Sequence, residues 1–205
     1  GIQGAIIRCG YGDNIASQDD KQFKRNADEC TRLGIPWGVY IYSYAKNTAQ
    51  AKSEAAHALR LVAPYKGKMS YPMYYDLEQA GTESVAVQNA IVFGDIIEAA
   101  GYWCGIYSGQ YWFQKYIGNK LDRFTKWVAR YSSQKPVGIS GSYDMWQYSS
   151  SGSVPGISGR VDMNEVYRDF PREILGSGSS TGNGPRQIPG DPVNDMGVKY
   201  RAHCQ

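Results

Sequence analysis

Histidine is nearly missing from this sequence: only His57 and His203 occur among 205 residues. A Ser-His-Asp triad, a Cys-His peptidase or a histidine-rich zinc site therefore has almost nothing to work with. His57 falls in an alanine-rich helical stretch and reads as a helix-surface residue. Cysteine is sparse as well. Cys9, Cys30, Cys104 and Cys204 are too few and too dispersed for a disulfide scaffold or a zinc cluster. Cys9 and Cys104 sit in apolar strand-like runs and Cys30 on a helix face, the setting of buried free thiols. There is no P-loop, no dinucleotide fingerprint and no CxxC motif, so neither a cofactor nor a metal is implied. No apolar run reaches the roughly 18 residues of a membrane span. Charge of one sign is lacking too: 22 Lys and Arg against 19 Asp and Glu leave a net charge of +3. Spread along the chain, that is no footprint for nucleic acid, though a mildly basic surface suits an anionic polymer. The opening Gly1-Ile-Gln-Gly-Ala5 carries neither an initiator Met nor a signal peptide, so the chain reads as a segment of a longer product.

Phenylalanine is scarce at 5, while Tyr numbers 17 and Trp 5. Tyr and Trp offer a flat apolar face with a polar handle, which suits sugar rings. A core that prefers Tyr explains the composition equally well, and both readings stay open. Apolar strand runs alternate with helical stretches, which predicts a parallel α/β architecture. Strands are expected at Ala5–Gly10, Trp37–Tyr44, Tyr71–Glu78, Tyr102–Ser108, Lys126–Tyr131, Tyr143–Ser149 and Val161–Val166. Phe23, Ala27 and Cys30 mark a first helix, ended by Gly34-Ile-Pro36. Ala51, Ala55, Ala58, Leu59 and Val62 mark a second, residues 84–100 a third, and Tyr111, Trp112 and Tyr116 a weaker fourth. After residue 125 the last three strands are joined by loops, which suggests an irregular barrel. From Gly176 a Gly/Ser/Pro-rich linker begins, and Asp191–Gln205 starts something new.

Alternate strand residues share a face, so Asp76 and Glu78 point the same way, roughly 7 Å apart by Cα. They lie at the C-terminal end of their strand, which is the catalytic end in barrel enzymes. Two carboxyls on one wall, hemmed by Tyr74 and Tyr75, favour one protonated and one ionised group. That pairing is what glycoside hydrolysis needs, although two solvated carboxylates at a strand end fit the spacing as well. Asp162 and Glu165 form a second acidic set with Asp144 nearby in sequence, and taken alone Asp162 and Asp144 read first as turn formers. Tyr40, Tyr42, Tyr107, Tyr131, Trp146 and Gln147 recur at strand ends, as expected around a saccharide groove.

Tyr74-Tyr-Asp-Leu-Glu78, preceded by Gly34-Ile-Pro-Trp-Gly-Val-Tyr40, resembles the lysozymes of glycoside hydrolase family 25. Gly101-Tyr-Trp-Cys-Gly-Ile-Tyr-Ser108, Lys126-Trp-Val-Ala-Arg-Tyr131, Met145-Trp-Gln-Tyr148 and Val161-Asp-Met-Asn-Glu165 follow in that family's order. The resemblance covers residues 1–170 and implies a modified TIM-like barrel of the (β/α)5(β)3 type. It implies cleavage of the β-1,4 bond between N-acetylmuramic acid and N-acetylglucosamine in bacterial peptidoglycan. Glu78 would be the proton donor, Asp76 the anion that stabilises the intermediate or orients the substrate acetamido group, and Asp162 the acid on the last strand. Tyr40, Tyr107 and Trp146 would line the groove. The family's opening strand, with its Asp-Val-Ser, has no counterpart, so a barrel without its first strand and a site lacking one wall are expected. The implied organisation is a catalytic domain over 1–175, a linker over 176–190 and the start of a repeat module over 191–205. Asn194-Asp-Met-Gly-Val-Lys-Tyr-Arg-Ala-His203 resembles the opening of a clostridial hydrophobic repeat. Such a protein would be monomeric and either secreted and wall-associated or phage-encoded and released at lysis. A glycosidase acting on chitin-like polymer and a catalytically impaired saccharide-binding module stand as alternatives.

Overall fold

A computed structural model of the chain describes residues 3–176 and 198–201, the latter as backbone only. Residues 177–190 of the expected linker, His203 and Cys204 lie outside the described residues. The elements run β1 (Ala5–Tyr11), α1 (Phe23–Leu33), β2 (Trp37–Tyr42), α2 (Thr48–Val62), β3 (Met73–Asp76), α3 (Ala86–Ala99) and β4 (Cys104–Gly109). Then come α4 (Gln110–Trp112), which continues into a π-turn over Phe113–Ile117, and β5 (Thr125–Ala129), β6 (Met145–Gly152), β7 (Val161–Val166), α5 (Phe170–Gly176) and β8 (Val198–Arg201). One sheet holds all eight strands in chain order. β1 to β6 are mutually parallel, β7 runs antiparallel to β6, and β8 antiparallel to β7. The result is a mixed α/β half-barrel.

Local chemistry sets the helix bounds. Gly34 takes a left-handed conformation (φ 65°) and donates its N–H to carbonyls of the last turn of α1, a turn for which glycine is the low-strain residue. The Asn47 side chain caps α2 by accepting from the Gln50 N–H at 3.0 Å, satisfying a donor that the helix cannot.

Strand parity sorts the core into two layers. On the outer face Val39, Ile41, Met73, Tyr75, Leu77, Ile106 and Val128 pack with helix residues Ala27, Ala55, Ala58, Phe93 and Ile97. Tyr75 stacks on Phe93 at 4.0 Å between ring centroids. The inner face is closed by Ile6, Tyr74, Tyr107, Trp127, Met145 and Val166. Trp127 lies at its centre, edge-on to Tyr107 at 4.6 Å, Tyr74 at 5.2 Å and Tyr40 at 6.2 Å. Its indole N–H donates to Asn164 Oδ1 at 2.8 Å. Gly105 leaves the space that Tyr74 fills, since a Cβ there would stand 2.4 Å from the Tyr74 ring. Tyr65, Tyr71, Tyr74, Tyr75 and Tyr107 are core residues. Cys9 and Cys104 are buried, with the Cys9 thiol donating to the Tyr40 carbonyl at 3.3 Å, and Cys30 is only partly covered.

His57 corrects the surface expectation: it is 0% exposed. One ring nitrogen lies 3.0 Å from the Gly12 carbonyl and the other 2.8 Å from Asp19 Oδ1. Arg60 grips the same carboxylate at 2.6 Å. α2 thereby holds the loop that follows β1, and a polar residue buried against partners far along the chain leaves no trace in helical periodicity. A Cβ on Gly10 would lie 2.8 Å from His57 Cε1 and 2.8 Å from the Gln18 carbonyl. Gly10→Ala is therefore expected to cost about 1–3 kcal/mol by overpacking, read as a lower urea midpoint at unchanged m-value.

β1 pairs with β2, and among the described residues no strand lies on its other side. At the opposite edge, β8 pairs with β7 from Val166↔Val198 to Met163↔Arg201. Residues 198–201, expected to open a separate module, thus add a strand to this sheet.

Candidate active site

The C-terminal end of the sheet gathers the acidic residues. Asp76 closes β3 in register with Tyr42 of β2 and Tyr107 of β4. Beyond it the chain stays pinned, with the Leu77 N–H donating to the Tyr107 carbonyl at 2.9 Å and the Ser108 hydroxyl to the Leu77 carbonyl. Leu77 is buried in the outer core, so Asp76 and Glu78 turn the other way, as alternation requires. β7 is antiparallel, which brings its first residues, Val161 and Asp162, to the same mouth.

The three carboxyls sit in unequal surroundings. Asp76 is 3% exposed, and its Oδ1 has no hydrogen-bond partner. Burial, then the charges of Glu78 and Asp162, push its pKa well above the ordinary carboxyl range. Glu78 is exposed at the rim, yet partial withdrawal of its carboxyl from water and then Asp162 raise it too. Burial also raises Asp162. Among the described residues no lysine or arginine draws any of the three back down. Carboxyls coupled in this way titrate as a set. The stronger upward push falls on Asp76, whereas the family resemblance implied Glu78 as the proton donor. Each of these causes favours the protonated form of the carboxyl it acts on.

Aromatic and amide groups frame this set. The Tyr42 hydroxyl donates to Gln79 Oε1 at 3.2 Å, and burial followed by the charges of Glu78 and Asp76 raises its pKa to about 12. Gln147 is buried, and its Oε1 accepts from the Tyr107 hydroxyl at 2.8 Å and the Tyr131 hydroxyl at 2.9 Å. The Tyr131 ring is itself exposed. Tyr42, Tyr107, Tyr131 and Gln147 are thus brought to the three carboxyls.

Tyr40 and Trp146 are not brought to that mouth in the same way. Tyr40 lies one inward position below Tyr42, edge-on to Trp127. Trp146 alternates with Met145 and Gln147 and pairs with Glu165. It is buried, with its indole N–H donating to the Arg130 carbonyl at 2.9 Å. Glu165 accepts from the Tyr167 hydroxyl at 2.8 Å. Asp144 accepts from the Lys126 N–H at 2.9 Å and faces Arg168 at 3.6 Å, before β6 begins. Both are structural acids.

Sequence reasoning missed Glu54, Tyr11 and Tyr44. Glu54 carried a signal, because it stands three residues after Ala51 and four before Ala58 on the apolar stripe of α2, where a carboxylate is out of place. A cavity of about 530 Å³ lies elsewhere, bounded by Phe23, Arg32, Leu61 and Tyr65 among others, and shares no residue with the carboxyl set.

Several known proteins similar to this chain are wall-lytic by name. The chain is 28% identical over 181 residues to the autolytic lysozyme of Clostridium acetobutylicum, covering 87% of this chain and 52% of that one. The modular autolysin LytC of Streptococcus pneumoniae superposes with a TM-score of 0.67 at 32% identity, over 79% of this chain and 40% of that one. The CTP1L endolysin superposes with a TM-score of 0.74 at 26% identity, over 85% and 61%. The chain spans only 52% to 62% of the length of the curated relatives it matches. The family model for glycosyl hydrolases family 25 matches residues 1–157, and the chain belongs to that family.

Proposed function

We propose that this chain is the catalytic part of a muramidase that hydrolyses the β-1,4 bond between N-acetylmuramic acid and N-acetylglucosamine in bacterial peptidoglycan. The observation that carries the reading is the cluster of Asp76, Glu78 and Asp162 at the strand ends, raised in pKa and framed by exposed and half-buried tyrosines. Glu78 is the acid, because only a group at the rim can reach a glycosidic oxygen within a polymer. Asp76 is buried with a free acceptor, Oδ1, suited to the N–H of the substrate's acetamido group.

Substrate redistributes the shared proton. An N–H donated to Asp76 and the positive charge developing at the sugar both favour ionised Asp76, leaving the proton on Glu78 for the leaving oxygen. As the C1–O bond breaks, the oxygen takes the Glu78 proton and the acetamido carbonyl or Asp76 steadies the cationic carbon. Water then completes hydrolysis, returning a proton to Glu78. Asp162 raises both partners and holds the far side of the site. Tyr42, Tyr107, Tyr131 and Gln147 provide the saccharide-facing wall, with Tyr40 beneath it and Trp146 pinning the Arg130 carbonyl next to Tyr131. The reading includes a catalytic domain over 1–175, a linker over 176–190, the start of a repeat module over 191–205 whose residues 198–201 lie against the catalytic sheet, action as a monomer, and delivery by secretion or phage lysis. Among the described residues no helix is long and apolar enough to cross a membrane.

Digestion of purified Gram-positive walls tests this. New reducing ends should be N-acetylmuramic acid, with no new free amino groups and no cleavage of chitin oligomers. Reducing ends of N-acetylglucosamine, or release of amino groups alone, would overturn the assignment.

A further inference from the structure

The carboxyl mouth does not end at Tyr42. Register places Tyr11 of β1 opposite Tyr42 of β2, and Tyr42 opposite Asp76. Neighbouring strands lie about 4.8 Å apart, so Tyr11 stands roughly 10 Å along the mouth from Asp76. That span suits a disaccharide better than a single ring. Tyr44 fills the angle between the two strands, with its ring 4.9 Å from that of Tyr42 and 6.1 Å, edge-on, from that of Tyr11. It is 45% exposed.

This ring is held outward by unusual means. Glu54 of α2 is 1% exposed. Its carboxyl accepts from the Tyr44 N–H at 2.8 Å, from the Ser43 hydroxyl at 2.8 Å, and from the Tyr75 hydroxyl. Asn89 of α3 donates to the Ala45 carbonyl at 2.8 Å. Two helices thus reach through the outer layer with buried polar side chains to fix residues 43–45. Burying a carboxyl raises its pKa and costs stability unless it is fully hydrogen-bonded. A bare turn needs no such anchor, and what the anchor presents to solvent is the Tyr44 ring.

We propose that Tyr44, with Tyr11 edge-on beside it, is a distal platform on which a pyranose ring of the glycan strand stacks, beyond the sugars flanking the scissile bond and on the Tyr42 side. Glu54 is its positioning residue. The proposal rests on the muramidase reading for the identity of the polymer, and its continuity with Tyr42 supplies the direction. A rigid aromatic loses little entropy on binding, and its apolar face matches the C–H face of a sugar.

The test measures binding without turnover. Soluble, uncrosslinked peptidoglycan glycan strands, fractionated by length, are titrated by calorimetry against Glu78→Gln protein with and without Tyr44→Ala. Long strands should bind about five- to tenfold more weakly to the double variant, a disaccharide less than twofold more weakly, and Tyr44→Trp should restore the long-strand affinity. Equal affinity for long strands, or an equal loss at every length, overturns the platform. In the active protein the same substitution should raise KM on long strands while kcat carries little of the loss. If wild-type protein binds strands through Tyr44 yet cuts nothing, the platform stands and the muramidase reading falls. If no strand binds at all, both fall.

Discussion

Glu78→Gln should lower the rate of wall lysis roughly 10²–10⁴-fold, the worth of a positioned general acid. The amide keeps the shape and most hydrogen-bonding capacity of the carboxyl but has no proton to give. Because Glu78 stands exposed at the rim, the change should leave stability within about 0.5 kcal/mol, as for surface substitutions generally. KM should stay near its wild-type value, since an acid acts in the transition state rather than in ground-state binding. The pH profile carries a second signature. Glu78 is raised by partial burial and by Asp162, so the alkaline limb of the wild-type profile should lie above the ordinary glutamate range. Asp162→Asn should draw that limb back toward lower pH. Lysis that survives Glu78→Gln nearly unchanged would remove Glu78 from the role of donor.

The parts of the fold that follow from local rules were legible in the sequence. All seven expected strands appear within a few residues of their bounds, because apolar runs bracketed by Gly, Pro and helical stripes fix them. The mouth was legible for a simpler reason: parity alone turns Asp76 and Glu78 to one side. What was not legible depended on contacts distant in sequence. His57 is buried by Asp19 and the Gly12 carbonyl, partners nearly forty residues or more away, so hydropathy placed it on the surface. Glu54 was overlooked because its partners, Ser43 and Tyr44 just after β2 and Tyr75 in β3, meet it only in the folded state. Tyr40 and Trp146 are aromatic like the groove tyrosines. Only packing against Trp127 in one case and the Arg130 carbonyl in the other separates support from surface. β8 was unforeseen because four residues after a Gly/Ser/Pro-rich stretch carry no periodicity to read.

Asp76→Asn should separate activity from stability in opposite directions. Loss of the buried carboxylate should cost about 10²–10³ in rate, as removal of one preorganised electrostatic contact does elsewhere. The same change should make the protein more stable at neutral pH. An Asp in the unfolded chain titrates near 3.8, whereas burial, Glu78 and Asp162 hold the folded value well above that. A group raised on folding stabilises the native state while it is protonated, below its unfolded pKa. That contribution is lost as pH climbs through the folded pKa, because the unfolded chain then sheds a proton that the native state keeps at a cost. Wild-type and Asp76→Asn melting temperatures should therefore nearly coincide around pH 4 and diverge toward neutrality, with the variant melting higher. Each kcal/mol of relieved strain should appear as about 2–4 °C in a chain of this size. Glu78→Gln should show a smaller divergence of the same sign, because it relieves only part of the charge facing Asp76. Melting curves from pH 4 to 8 decide the matter: a variant that melts lower than wild type at neutral pH would mean that Asp76 is already compensated in the folded protein. Asp76 would then be a structural acid, and its unpaired oxygen would have no bearing on catalysis. A variant that melts higher and cuts poorly identifies a carboxyl kept in the fold for chemistry at the expense of stability.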